Sequence, residues 1–180
     1  LQAVTFMGEI AGSYDKRRLV PFGEYVPFRN WLPISKLVQG SRDFTAGTGP
    51  RTMDLPGLPP VGPLICFEVI FPGVIADKNR RPEWFLNLTN DAWYGHTAGP
   101  YQHLVQAQFR AVEEGLPLVR VANTGISATI DAYGRIVKFL ALGERGVIDT
   151  GLPDKISKGT YYSSYGNTFL NLPVVYKKQT

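Results

Sequence analysis

Thiols, imidazoles and long apolar runs are what this chain has least of. It holds one cysteine, Cys66, and two histidines, His96 and His103. A single cysteine excludes an internal disulfide, so cysteine usage leaves the redox compartment open. One Cys and two His do not make an ordinary ligand set, and neither a metal nor another cofactor is expected. No apolar run reaches about 18 residues, which excludes a transmembrane helix within the chain. The opening residues do not read as a secretory leader. Charge imbalance is small as well: 19 Lys+Arg against 15 Asp+Glu give a net charge of +4. That suits phosphate groups or anionic lipid but is too weak to argue for nucleic acid.

What is present is ordinary for a globular protein. The 180 residues are 44% hydrophobic and 19% charged, enough for one domain with a real core. Residues 1–180 are read as that single domain. The chain starts with Leu1 in strand-like sequence and reads as a piece of a longer protein.

Along the chain, Gln2 to Phe6 and Ile10 to Tyr14 predict a hairpin around Gly8. Prolines and a glycine between Asp15 and Pro27 exclude a helix through most of that stretch. Phe28 to Pro60 is loop-rich, with one helical stretch expected from Pro33 to Val38. Apolar Phe28, Trp31, Leu32, Ile34, Leu37 and Val38, with Arg29, Lys36 and Arg42 nearby, suggest a membrane-facing lid. Leu64 to Phe67 predicts a buried strand and Pro72 to Asn79 a helix. Trp84 to Thr89 is a second buried strand, followed by an Asn90 to Gly95 loop. Pro100 to Glu114 predicts a helix with Val105, Phe109 and Val112 on one face, ended by Gly115. Leu116 to Ala122, Ile126 to Ile130, Arg135 to Leu140 and Val147 to Thr150 predict strands, and the tail from Lys158 a loop. Strands alternating with helices, then hairpins, give an α/β layered domain.

The chemistry centres on Cys66. A buried cysteine is more often a small core side chain. Here, however, it ends a strand just before a predicted helix, where free backbone N–H groups and the helix dipole favour thiolate. In parallel sheets, sites lie at the carboxyl ends of strands, and both Cys66 and the Asn90–Gly95 loop fall there. A histidine is the usual partner of such a thiol, but neither His96 nor His103 has an evident acidic partner. Lys16 is a different candidate. Its cation would lower the thiol pKa and, with the Phe67 backbone N–H, stabilise an oxyanion. Glu24 would position Lys16 or carry protons, and Glu68 would take a proton or hold a partner. Against these stand plain readings: Lys16 as a surface lysine and Glu24 in a surface ion pair.

Three stretches carry a resemblance: Tyr14 to Pro27, with its Leu19-Val20-Pro21-Phe22-Gly23-Glu24-Tyr25 run; Ile65-Cys66-Phe67-Glu68; and Asn90-Asp91-Ala92-Trp93-Tyr94-Gly95. Together they resemble the apolipoprotein N-acyltransferases of the nitrilase, or carbon–nitrogen hydrolase, superfamily. The resemblance implies an α-β-β-α sandwich, here its C-terminal portion. It implies a Glu-Lys-Cys triad in which Lys16 is the lysine and Cys66 the nucleophile. Glu24 matches a further glutamate near the lysine, and Glu68 the one after the cysteine. Phe67 stands where many members have Tyr, so its N–H remains but a phenol role is lost. Trp93, with Tyr94 beside it, would lie against substrate.

The resemblance also implies a general-base glutamate upstream of Lys16 that this chain starts too late to contain. The 180 residues alone are therefore expected to be inactive. The implied reaction passes an acyl chain from a phospholipid to Cys66, then to the N-terminal amine of a diacylglyceryl-cysteine apolipoprotein. The implied location is the bacterial inner membrane, with this domain facing the periplasm. Two alternatives stand beside it: a soluble amidase or nitrilase of the same superfamily, and a catalytically dead binding domain of this fold.

Overall fold

The protein is described from a computed structural model, which covers residues 1–28, 31 and 43–171. Seven strands are placed among the described residues: β1 (Gln2–Val4), β2 (Ile10–Ser13), β3 (Val61–Ile65), β4 (Trp84–Asn90), β5 (Leu118–Asn123), β6 (Ser127–Ile130) and β7 (Ile136–Leu140). Helix α1 (Gly99–Glu114) lies between β4 and β5, and a short α2 (Tyr161–Tyr165) follows β7. Strands β3 to β7 form one sheet in chain order, while β1 and β2 pair separately. Within the larger sheet β3, β4 and β5 run parallel, and β5, β6 and β7 run antiparallel. Tight turns suffice for the antiparallel joins, whereas the parallel step from β4 to β5 needs the α1 crossover.

Side-chain alternation splits the sheet into two buried faces. On one, Leu64, Phe85, Leu118, Ala128 and Ile130 pack against Leu104, Ala107 and Ala111 of α1. On the other, Val61 and Trp84 pack with Tyr14 and Met53, joined by Leu1 and Ala3 from the β1–β2 hairpin. The layering is thus helix, sheet, then a second β layer, in keeping with the expected sandwich.

Gly115 ends α1 as expected. At φ 63° its N–H reaches back to the carbonyls of Ala111 and Val112, a left-handed cap that glycine adopts without steric cost.

Four expectations are corrected. No helix forms over Pro72 to Asn79. Gly73 sits at φ 70°, and the Asp77 side chain draws in the N–H groups of Asn79 and Arg80, a local turn that competes with helix. The β3–β4 crossover is instead a 3-10 turn (Cys66–Ile70) and a loop. Val105, Phe109 and Val112 are 42%, 53% and 45% exposed; the face of α1 that meets the sheet is the neighbouring Pro100–Leu104–Ala107–Ala111 stripe. Val147 to Thr150 is in no strand, and Val147 is exposed. The tail, expected as loop, winds into α2, capped by the Thr160 hydroxyl on the Ser163 N–H. The expected helix from Pro33 to Val38 lies outside the described residues. So does the lid stretch, except for Phe28 and Trp31, both well exposed.

Candidate active site

Cys66 follows the last residue of β3 and opens a 3-10 turn, Cys66–Ile70. Its φ is 53°, a left-handed conformation that side chains rarely adopt and that costs on the order of 1–3 kcal/mol. Neighbouring groups hold it there. Asn87 Nδ2 donates to the carbonyls of Leu64, at 3.3 Å, and Cys66, at 3.5 Å. Glu68 Oε2 accepts the Ile65 N–H at 2.7 Å.

Glu68 is 3% exposed. Its other oxygen, Oε1, accepts from Tyr14 Oη at 2.9 Å, Arg17 N at 2.7 Å and Arg18 N at 3.2 Å. Burial, then the Glu68 charge, push the Tyr14 phenol far above its ordinary range, so it stays a donor. Glu68 therefore ties the cysteine turn to the loop that carries Lys16. With four donors already on it, this carboxylate is arranged as a clamp rather than as a free acid or base.

Lys16 is withdrawn from solvent, its side chain 9% exposed. Nζ donates to both Glu24 oxygens, at 2.7 and 2.8 Å, and Glu24 Oε2 also accepts the Val20 N–H at 2.8 Å. The Pro21–Tyr25 turn that presents Glu24 is closed by Phe22 N on Tyr25 O at 2.7 Å. A further segment packs on this loop through Phe44 N to Glu24 O, 3.0 Å, and Gly47 N to Lys16 O, 2.8 Å. Residue 47 must be glycine there, since a Cβ would run into the Asp15 carbonyl.

A pocket of about 300 Å³ opens between these elements, lined by Cys66, Glu24, Phe67, Asn90, Trp93, Tyr94, Val20, Pro21, Gly23 and Phe44. Cys66, Glu24, Phe67, Trp93 and Tyr94 thus meet in one cavity, and Lys16 joins through Glu24. Glu68 stands behind it, beneath the turn. The walls are mostly apolar. Trp93 is 62% exposed at the rim. Burial, then the Cys66 and Asp91 charges, raise the Tyr94 phenol above its usual range.

Behind the pocket lies a polar row that the sequence reading missed. Register places Leu64, Asn87 and Arg120 side by side across β3, β4 and β5. Arg120 is 1% exposed. It donates through Nη1 to Asn87 Oδ1 and through Nη2 to Asp91 Oδ2, the latter at 2.6 Å. His103 Nδ1 lies 2.9 Å from Asp91 Oδ1. The expectation that neither histidine has an acidic partner is therefore overturned for His103; His96 is exposed. Burial pulls the Asp91 carboxyl up, but the His103 hydrogen bond and the Arg120 charge outweigh it and hold it below the usual range. Gly125 lets the β5–β6 turn cross Asp91 closely, since a Cβ there would lie 2.5 Å from Oδ2. The one signal in the sequence was a lone arginine inside an apolar strand.

No group of three or more His, Cys, Asp and Glu that could hold a metal occurs among the described residues. The arrangement offers one thiol, one cation fixed by a carboxylate, and an apolar cavity beside them.

The carbon-nitrogen hydrolase family profile matches residues 2–158. The chain belongs to that family. Among curated proteins, this carbon-nitrogen hydrolase chain is 51% identical over 164 residues to an apolipoprotein N-acyltransferase of Rhodopseudomonas palustris, covering 89% of this chain and 31% of that protein. The enzyme of the same name from Bradyrhizobium diazoefficiens is 50% identical, over 89% of this chain and 30% of that protein. That from Rickettsia typhi is 45% identical, over 91% and 33%. The resemblance carried by the Lys16, Cys66 and Trp93 stretches is thereby borne out. The chain spans about a third of the length of these relatives.

Among solved structures, a cysteine-to-alanine mutant of the amidase from Nesterenkonia sp. AN1 in complex with butyramide superposes with a TM-score of 0.52. It is 22% identical and covers 75% of this chain and 48% of that one. A carbon-nitrogen hydrolase from Helicobacter pylori G27 gives 0.50 at 16% identity, over 77% and 50%. At such identities the likeness speaks for the nitrilase-like fold alone.

Proposed function

We propose that this chain is the catalytic part of an N-acyltransferase that moves an acyl chain from a phospholipid to the N-terminal amine of a diacylglyceryl-cysteine apolipoprotein. One observation carries the reading: the only thiol in the chain opens into an apolar cavity beside the Lys16–Glu24 pair. The identity to curated apolipoprotein N-acyltransferases supports it.

In the first half-reaction the Cys66 sulfur attacks the ester carbonyl of the donor. The thiol proton leaves, an S–C bond forms, and the ester C–O bond breaks. The departing alkoxide takes up a proton and leaves as a lysophospholipid. In the second, the apolipoprotein amine attacks the thioester carbonyl; the C–S bond breaks, the nitrogen loses a proton, and an amide forms. Splitting the transfer in two suits a sulfur nucleophile. Negative charge builds on the carbonyl oxygen in both halves. Lys16 and the Phe67 N–H, at the unpaired start of the 3-10 turn, are the donors we assign to it.

Glu24 is committed to Lys16 through both oxygens, so we assign it the positioning of that cation, not proton transfer. Glu68 holds the turn. Phe67, Trp93 and Tyr94 form apolar wall against the acyl chain. The base that takes the thiol proton is assigned by resemblance to a glutamate upstream of Lys16. None of the described helices is long and apolar enough to cross a membrane. We place the enzyme at the bacterial inner membrane, with residues 1–180 as one domain on the periplasmic side.

The test is direct. Full-length enzyme is incubated with phosphatidylethanolamine and digested, and the Cys66 peptide is weighed. The expected result is an acyl adduct that hydroxylamine removes and that a diacylglyceryl-cysteine peptide discharges as an amide. An adduct elsewhere, or none, refutes the proposal. Hydrolysis of small amides at a higher kcat/KM than acyl transfer would favour the amidase reading.

A further inference from the structure

A second, larger cavity of about 790 Å³ adjoins the cysteine pocket, and the two share Pro21, Phe44 and Phe67 as common wall. Its character differs. Arg17 and Arg18 line it, together with Leu19, Tyr25 and Phe71. Among the described residues no carboxylate pairs with either guanidinium. Asp43 also lines the cleft and is itself engaged. Arg18 is braced, its guanidinium carbon 4.9 Å from the centroid of the Phe71 ring, a cation–π contact that leaves the N–H edge free. Both arginine backbones are pinned by Glu68 Oε1, at 2.7 and 3.2 Å.

Two guanidiniums with no carboxylate paired to either among the described residues, on a backbone fixed from below and flanked by aromatic rings, make a receptor for an anion attached to something apolar. Arginine's planar fork matches the oxygens of a phosphate. The position matters equally. The wall shared with the cysteine pocket means that one molecule can place its anion in the cleft and an acyl ester at Cys66.

We propose that the Arg17–Arg18 cleft holds the phosphodiester of the acyl donor, so that the glycerol unit spans the Pro21–Phe44–Phe67 wall and sets the ester carbonyl against Cys66. The assignment rests on the acyltransferase reading above. Glu68 fastens both the arginine backbones and the cysteine turn, so one buried side chain ties the segment that carries the anion site to the segment that carries the nucleophile. A phosphate-bearing donor is thereby favoured over a simple ester by position as well as by charge.

The experiment uses full-length enzyme in mixed micelles with two donors, phosphatidylethanolamine and the phosphate-free p-nitrophenyl palmitate, and reads thioester formation at Cys66. For Arg17→Gln, Arg18→Gln and the double variant, the ratio of kcat/KM for the phospholipid to that for the phosphate-free ester is compared with the unmodified enzyme. Losing charged hydrogen bonds to phosphate predicts a fall in that ratio of about tenfold or more per arginine. Arg18→Lys should recover part of it, since charge remains but the fork is lost. An unchanged ratio, including one where both activities fall together through misfolding, overturns the assignment. A further arm adds inorganic phosphate. If it slows neither donor, a lipid-borne phosphate is the ligand; if it binds and the ratio is unchanged, the cleft is a free-phosphate site and the proposal fails. If the unmodified enzyme takes palmitate from the p-nitrophenyl ester but nothing from phosphatidylethanolamine, the acyl-donor reading itself is refuted, and the cleft assignment with it.

Discussion

Replacing Glu68 by glutamine separates a clamp from a proton carrier. Glu68 accepts the Ile65 N–H on Oε2 and three donors, from Tyr14, Arg17 and Arg18, on Oε1. An amide has one accepting oxygen. If that oxygen takes the Oε1 place, the amide NH2 faces the Ile65 N–H, donor against donor, beside a residue already held at φ 53°. An unsatisfied buried N–H costs about 1–3 kcal/mol. The remaining three bonds become neutral and roughly half as strong. Together Glu68→Gln should cost about 2–4 kcal/mol of stability, although it removes almost no volume. Glu68→Ala should cost more, since four donors then lose their acceptor in a site that is 3% exposed.

The assay is urea unfolding of the full-length protein followed by tryptophan fluorescence, beside the rate of thioester formation. We expect the midpoint and the rate to fall together, the rate by about 10²-fold as the turn and the Lys16 loop lose their common anchor. A glutamine variant as stable as the parent but slow, with a displaced pH–rate profile, would refute the clamp and return Glu68 to acid–base chemistry.

Other substitutions test the remaining parts. Cys66→Ser should abolish the hydroxylamine-sensitive adduct, because an alcohol without a strong base is a poor nucleophile; mass spectrometry of the digested enzyme reads this. Lys16→Ala should lower kcat by about 10² or more, as for loss of an oxyanion donor, and Lys16→Arg should not restore it; an effect on KM alone would make Lys16 a binding residue. Arg120→Leu should cost about 3–5 kcal/mol in the same urea titration by removing the guanidinium partner of the buried Asp91 carboxylate, which keeps only its bonds to His103 and Thr89. Asp91 also predicts an acid limb. Its folded pKa is depressed below the ordinary 3.8, so its stabilisation is fully present above that value and is lost as pH falls through the lower, folded one. Unfolding midpoints measured from pH 5 downward should fall less steeply for Asp91→Asn than for the parent.

Local signals carried most of the fold. The β1–β2 hairpin, the β4 and β5 strands and the glycine end of α1 follow from apolar runs and turn residues, whereas β3 runs over Val61–Ile65 instead of the expected Leu64 to Phe67, because Cys66 and Phe67 open the 3-10 turn. Periodicity was less informative for α1. It reveals stripes, not which one turns inward, and the small stripe through Ala107 and Ala111 is the one buried, at 0% exposure for both. Alanines let the helix lie close on the sheet, which larger residues would prevent. The Pro72 to Asn79 helix failed because a glycine in left-handed conformation and an Asp77 turn outweigh apolar spacing. At the site, Cys66, Lys16, Glu24, Trp93 and Tyr94 were legible as motifs. Glu68 was legible as a residue but not as a clamp, since its donors lie up to 54 positions away. The Asn87–Arg120–Asp91–His103 row depends on register between strands separated by a helix, which no local pattern encodes.

That row raises the question of why a charged pair sits behind an apolar cavity. A buried ion pair is weak evidence for stability, since well-packed apolar side chains of similar volume often do as well. Its geometry gives a better account. Asn87 can hold the Leu64 and Cys66 carbonyls only with its Nδ2, which requires that Oδ1 be satisfied elsewhere, and Arg120 Nη1 supplies that donor. Arg120 in turn needs a counter-charge, and Asp91 provides it from the first residue of the turn that carries Trp93 and Tyr94. An apolar pair at 87 and 120 would pack, but it would leave the carbonyl of a residue at φ 53° without a donor and the Asp91 turn without its charged partner. Glu68 does the corresponding work on the other side, fixing the Ile65 N–H to the Lys16 loop. The residue we assign as nucleophile is therefore held through the Leu64–Ile65 peptide ahead of it and through its own carbonyl, by the Glu68 and Asn87 side chains. For a reaction in which attack and proton transfer must coincide, such fixed position accounts for buried charge that packing alone does not require.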